Sequence, residues 1–116
     1  MKPRELTPPQ IQTDTLSVVL SLDPALFWFR GHFAVQPLLP GVAQLDWVMH
    51  YATYLAPGLQ FGGIQSVKFQ SPLLPENVVT LNLAWRADKQ LLTFSYQRHD
   101  GDARTTASSG KIQLCQ

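Results

Sequence analysis

The sequence predicts an α+β fold in which an antiparallel β-sheet wraps around one long central helix. Three observations predict it. Apolar residues recur at spacings of three and four between residues 42 and 55, and the segments after them alternate apolar and polar residues between turn signals. The length of 116 residues is enough for one core and too short for two ordinary domains.

Taken in order, residues 1–10, which include Pro3, Pro8 and Pro9, read as an extended leader, and the folded domain is expected over 11–116. Ile11 to Leu22 is rich in β-branched and aliphatic residues and reads as a strand that ends at Asp23-Pro24. The helix is expected from Val42 to Leu55, with Val42, Leu45, Val48, Met49, Ala52 and Leu55 as its buried stripe. Pro40 and Gly41 mark its start and Pro57-Gly58 its stop. Four strands follow, over Gly63–Gln70, Asn77–Trp85, Leu91–Arg98 and Arg104–Leu114, separated by Pro72 to Pro75, Ala87-Asp88-Lys89 and Asp100-Gly101-Asp102. Val79, Leu81, Leu83 and Trp85 alternate with polar or small residues, as do Leu92, Phe94 and Tyr96, so each of these strands has one face for the core. Antiparallel strands with one apolar face need a single cover, and the helix supplies it.

Composition narrows the function. A formal charge of +1 gives no electrostatic footprint for nucleic acid or an anionic membrane. No run of apolar residues reaches membrane-spanning length, and the start of the chain lacks a signal-peptide hydrophobic region, so a cytoplasmic location is the default expectation. The single cysteine, Cys115, excludes an internal disulfide and argues against a catalytic thiol. There is no glycine-rich phosphate loop and no serine elbow. Asp46 and His50 stand one helical turn apart, but three histidines without a further ligand at metal spacing do not build a metal site.

The residues that carry chemistry cluster around the helix start. Asp46 falls within the expected apolar stripe. A carboxyl group buried there without a partner escapes the cost of ionisation by a raised pKa, which makes it a candidate general acid. His32, in Phe27-Trp28-Phe29-Arg30-Gly31-His32-Phe33, carries an imidazole whose ordinary pKa of about 6.5 suits a base near neutral pH. The first amides of the helix lack intrahelical partners and lie at the positive end of its dipole, so they suit a developing oxyanion; Gly41 is the candidate donor. Taken singly, each has a structural reading: His32 as a core or interface histidine, Asp46 as a buried cap for a neighbouring loop, Gly41 as a helix-start glycine.

Gly31-His32-Phe33, then Pro37 to Pro40 with Gly41-Val42, then an acidic residue fourteen positions after the histidine, resembles the hot-dog-fold 3-hydroxyacyl-thioester dehydratases. Leu22-Asp23-Pro24, Val67-Lys68-Phe69 and Pro72 to Asn77 extend the likeness over most of residues 16–85. The run from Phe27 to Phe33 together with Pro40 to Trp47 is most similar to the short thioester dehydratases of aryl-polyene lipid pathways. The resemblance implies the hot-dog fold and removal of water from a 3-hydroxyacyl thioester to give the trans-2-enoyl product. It assigns His32 to take the C2 proton, Asp46 to protonate the leaving hydroxyl, and the Gly41 amide to polarise the thioester carbonyl. It further implies no cofactor, a substrate carried by acyl carrier protein or coenzyme A, and a homodimer with composite sites.

The chain departs from the family at two places. Ala34-Val35 stands where the family usually has Pro-Gly, which bears on the acyl tunnel and hence on substrate range. His50 stands where the family often has glutamine, one turn past the acid, and is either a residue that hydrogen-bonds and tunes Asp46 or a structural bystander. Arg30, Lys68, Arg86 and Lys89 are candidate docking charges for an acidic carrier near the tunnel mouth. Two other function classes fit the same fold. A hot-dog acyl thioesterase would not need the Gly-His-Phe element, and a non-catalytic acyl-binding or scaffold subunit would not need His32 or Asp46.

Overall fold

A computed structural model describes residues 3–24 and 39–116, and its architecture is the expected α+β one. Strands β1 (Arg4–Glu5), β2 (Gln10–Ile11) and β3 (Thr15–Ser21) precede helix α1 (Gly41–Ala52), and β4 (Gln60–Phe69), β5 (Val78–Arg86), β6 (Leu91–Asp100) and β7 (Ala103–Cys115) follow it. All pair antiparallel in one sheet of order β1-β3-β5-β6-β7-β4, with β2 also on β3. Within the expected leader, Arg4 pairs with Ser21 and Gln10 with Ser17, so both short strands line the free side of β3. The connection that carries α1 therefore begins beside β5 and ends at the far edge, where β4 lies on β7.

The alternation read from the strands is what the core uses. Leu16, Val18 and Leu20 of β3, Val79, Leu81 and Leu83 of β5, Leu92, Phe94 and Tyr96 of β6, and Ile112 and Leu114 of β7 are buried on one face. Burying a side chain such as Phe94 contributes about 1.5–3 kcal/mol relative to leaving it in water. The opposite face presents Ser17, Asn82, Ser95 and Ser109 in one lateral row. A solvated antiparallel sheet face has this composition. At Gly110 an added Cβ would fall 2.5 Å from the Ser66 carbonyl and 2.8 Å from the Phe94 ring, so a side chain there would separate β4 from β7 and lift Phe94 out of the core.

The helix face differs from the expected stripe. Ala43, Gln44, Trp47, Val48, Tyr51 and Ala52 are buried, whereas Val42 is 66% exposed and Leu45 and Met49 are only half-buried. The helix is apolar on nearly its whole circumference, and the sheet takes the face with the two large aromatic side chains, Trp47 and Tyr51, because they bury the most area. Tyr51 also donates from its hydroxyl to Glu5 Oε2 at 2.6 Å, tying the last turns of α1 to β1. Burial and the Glu5 carboxylate both push the Tyr51 phenol upward, so it stays a donor. Among the described residues no helix is long and apolar enough to cross a membrane.

Candidate active site

The start of α1 is built without a side-chain cap. Pro40 is the N-cap residue, at φ −63° and ψ 152°, and its carbonyl accepts from both Ala43 N at 3.1 Å and Gln44 N at 3.2 Å. Among the described residues nothing accepts from the Gly41 and Val42 amides, so two donors remain unspent at the positive end of the helix. Gly41 borders a cleft of about 210 Å³ between the helix start, with Leu39 and Gln44, and the end of β4, with Phe69, Gln70, Ser71 and Pro72. Phe69 lies close against Gly41: a Cβ on residue 41 would lie 2.5 Å from Phe69 Cζ.

Both walls of the cleft are held by polar contacts. On the helix side, Gln44 is 4% exposed; its Nε2 donates to Leu39 O at 3.2 Å and its Oε1 accepts from Ser108 Oγ at 2.7 Å. The buried Tyr96 hydroxyl donates to Gln44 O at 2.6 Å, and burial raises its pKa far enough to keep it protonated. On the β4 side, Gln70 N and Ser71 N both donate to Ala107 O, at 2.8 and 3.1 Å. Arg98 donates to Ser71 Oγ at 2.6 Å and to Pro72 O at 3.2 Å while Asp100 holds its other edge, with Nε to Oδ1 at 3.0 Å. The Arg98 and Thr105 hydrogen bonds keep the Asp100 carboxyl below its ordinary range, so this brace persists into mild acid.

The expected residues fall into three groups. Gly41 lines the cleft. Asp46 lies one turn beyond Val42 on the outward face of α1 and is exposed on the single chain, which corrects its placement in the buried stripe. The sheet side of the helix buries the neighbouring Trp47 instead, so one subunit does not supply the burial on which the expected acid role was argued. His50 is half-buried beside two rings, 4.9 Å from Tyr51 and 6.4 Å from Tyr54 between centroids. His32 lies outside the described residues, as do Arg30, Ala34 and Val35.

The expected docking charges do not form one patch. Lys68 is exposed beside Phe69. Arg86, paired with Asp88 at 3.3 Å, and Lys89 sit at the β5–β6 turn instead. That turn is in register with Gln113, whereas Ser108 is in register with the cleft, a separation of five residues or roughly 17 Å along β7. Spacing in the sequence could not reveal this, because hairpin tips alternate between the two ends of a sheet.

Sequence reasoning missed Gln44, Tyr96, Ser108 and Arg98. One signal was present for Gln44: it lies three, four and seven residues before Trp47, Val48 and Tyr51, in phase with the aromatic face. Among the described residues no group of three or more His, Cys, Asp or Glu is placed to hold a metal ion.

Comparisons with known proteins bear on this arrangement. The family model described as ApeI-like, ApeI dehydratase, matches residues 8–111. An uncharacterised protein from Erwinia carotovora subsp. atroseptica is 54% identical with a TM-score of 0.91, over 99% of this chain and 97% of that one. The dehydratase heterocomplex ApeI:P from Xenorhabdus doucetiae also contains a chain 54% identical with a TM-score of 0.91, over the full length of both. The dehydratase domain of the polyketide protein PpsC from Mycobacterium tuberculosis shares the fold, at 21% identity and a TM-score of 0.69, over 98% of this chain and 43% of that one. No curated protein matches the chain. Matched by this model over nearly its whole length, the chain belongs to the ApeI-like dehydratase family and is a hot-dog-fold dehydratase of the aryl-polyene type.

Proposed function

We propose that the substrate is a 3-hydroxyacyl thioester, delivered on acyl carrier protein or coenzyme A, and that the product is the trans-2-enoyl thioester of an aryl-polyene type pathway. The observation that carries this reading is the Gly41 amide, without an acceptor among the described residues, on a cleft at the positive end of α1. The thioester carbonyl accepts from the Gly41 amide, which stabilises the negative charge that grows on its oxygen as C2 loses a proton. His32 takes that proton. Asp46 gives a proton to the 3-hydroxyl as the C3–O bond breaks, and water leaves. His50, one turn beyond Asp46, is the candidate to tune it.

The active form in this proposal is a homodimer with composite sites. Val42 is 66% exposed on the outward face of α1, and Phe61, Ile64 and Phe69 of β4 are 50, 47 and 52% exposed. β4 is an edge strand, and a long apolar edge left open invites pairing with another chain. Pairing of two β4 edges would cover both features and desolvate the Asp46 side of the helix. The Xenorhabdus relative is a dehydratase heterocomplex. A second hot-dog chain on the same edge would provide the same cover.

Mass spectrometry of aliphatic and aryl 3-hydroxyacyl thioesters, linked to carrier protein and to coenzyme A, tests the substrate and the roles together. Loss of one water with the thioester intact, in wild type and not in His32→Ala, is the expected result. Release of free acid, or dehydration by a folded His32→Ala protein at the wild-type rate, would overturn it.

A further inference from the structure

The contacts around residue 107 point to a role for side chains that the reaction itself does not use. Between β6 and β7 the register slips: Tyr96 pairs with Ser108 and Gln97 with Thr106, which leaves Ala107 as an extra residue in β7. Such bulges re-aim side chains next to active sites. Here the bulge leaves Ala107 and Ser108 both buried in succession. Ser108 Oγ reaches Gln44 Oε1 at 2.7 Å, and the Ala107 carbonyl accepts from Gln70 N and Ser71 N. One irregularity therefore grips both walls of the cleft, the helix start through Ser108 and the end of β4 through Ala107.

Gln44 is the member with most to explain. An amide side chain 4% exposed on the sheet side of a helix is costly to desolvate, and a leucine would fill the space without that cost. Its bonds have a single consistent assignment: Leu39 O can only accept, so Nε2 faces it, and Oε1 is left to accept from the Ser108 hydroxyl. Pro40 has no amide with which to anchor the lead-in to the helix. Gln44 holds the carbonyl just before it, while Tyr96 holds the main-chain oxygen of Gln44 at 2.6 Å. The turn from 39 to 44 is clamped at both ends, and the amides of Gly41 and Val42, which have no acceptor among the described residues, lie between the clamps.

We propose that Gln44 is a positioning residue for the dehydration. Oriented by Ser108 and backed by Tyr96, it fixes the first turn of α1 so that the Gly41 amide stays aimed at the thioester carbonyl. This rests on the reading that the Gly41 amide receives that carbonyl.

Three variants test it, Gln44→Met, Ser108→Ala and the double variant, with Ile112→Val as a core control distant from the helix start. Steady-state kinetics use the 3-hydroxyacyl thioester that wild type turns over, alongside amide hydrogen exchange at residues 43 and 44, the amides bonded to Pro40 O. The single variants are expected to lower kcat about ten- to hundredfold with KM within about twofold. The double variant should match Gln44→Met instead of multiplying the losses, because Ser108 acts through Gln44. Exchange at 43 and 44 should rise while the rest of α1 stays protected, and Ile112→Val should change neither readout. Unchanged kcat in a folded Gln44→Met protein overturns the proposal, whether or not exchange rises. So does a drop that Ile112→Val reproduces at equal thermal stability. Failure of the catalytic reading itself looks different: His32→Ala and Asp46→Asn would then leave turnover intact, or wild type would release free acid.

Discussion

Replacing Gly41 by alanine sets a methyl group 2.5 Å from Cζ of Phe69 and 3.0 and 3.1 Å from its two Cε atoms. Carbon atoms rest at roughly 3.5–4.0 Å, so the tip of the ring must retreat by about 1 Å. It is able to, because Phe69 is 52% exposed and the clash is with the far end of its side chain. At the same time alanine lowers the backbone entropy lost at a helical position by about 0.5–1 kcal/mol relative to glycine. The two effects oppose each other, and the net change in stability should stay within about 1 kcal/mol. Function should respond far more, since the displaced ring and the new methyl group both intrude on a cleft of about 210 Å³ beside the Gly41 amide. The expected result is a folded protein with near-wild-type denaturant midpoint and kcat/KM lowered at least about tenfold, a loss of ~1.4 kcal/mol in transition-state binding. Adding Phe69→Leu should recover part of the loss by vacating the space. Two findings would refute the reasoning: destabilisation beyond about 3 kcal/mol, which would mean that the ring cannot move, or full activity, which would mean that substrate does not approach Gly41.

Other perturbations address separate parts of the molecule. His32→Ala and Asp46→Asn should each lower turnover roughly a hundredfold or more while folding is retained, as checked by circular dichroism beside the kinetic assay. Ile64→Lys, on the exposed edge strand, should shift the assembly towards monomer by sedimentation and lose activity with it; a fully active monomer would contradict the composite site. His99 has its pKa lowered from 6.5, first by burial and then by Arg104, with Asp100 opposing, and it shares a 2.6 Å contact with Thr80 Oγ1. The unfolded chain therefore binds more protons just below pH 6.5, so the stability His99 contributes is complete above that pH and falls as pH drops through the window beneath it. Urea midpoints measured across this window should decline less in His99→Gln than in wild type.

Much of the architecture was legible because it follows from local chemistry. Pro40 and Gly41 announce the helix, and the observed helix begins at Gly41. Val79, Leu81, Leu83 and Trp85 can share a face only in a strand, and all are buried in β5. The short pairings of residues 4–5 and 10–11 with β3 were not legible, since two-residue strands carry no periodicity. Nor was the choice of helix face. Val42, Leu45 and Met49 are as apolar as the residues that the sheet buries, and helical spacing alone cannot say which of two apolar faces meets the sheet.

The sequence by itself determined one helix starting at Pro40-Gly41, a run of one-faced strands, and a spacing of His32, Gly41 and Asp46 similar to that of a dehydratase. Only the tertiary structure decided that Asp46 faces outward, that Arg86 and Lys89 lie at the far end of the sheet from the cleft, and that Gln44 meets Ser108 across 64 residues of chain. The physical reason is the range of the interactions. Propensity, capping and periodicity act within a few turns of a helix or a single strand. The outward placement of an acid and the pairing of a buried amide with a hydroxyl depend instead on which surfaces long-range packing brings together, and here one extra residue in β7 sets that register.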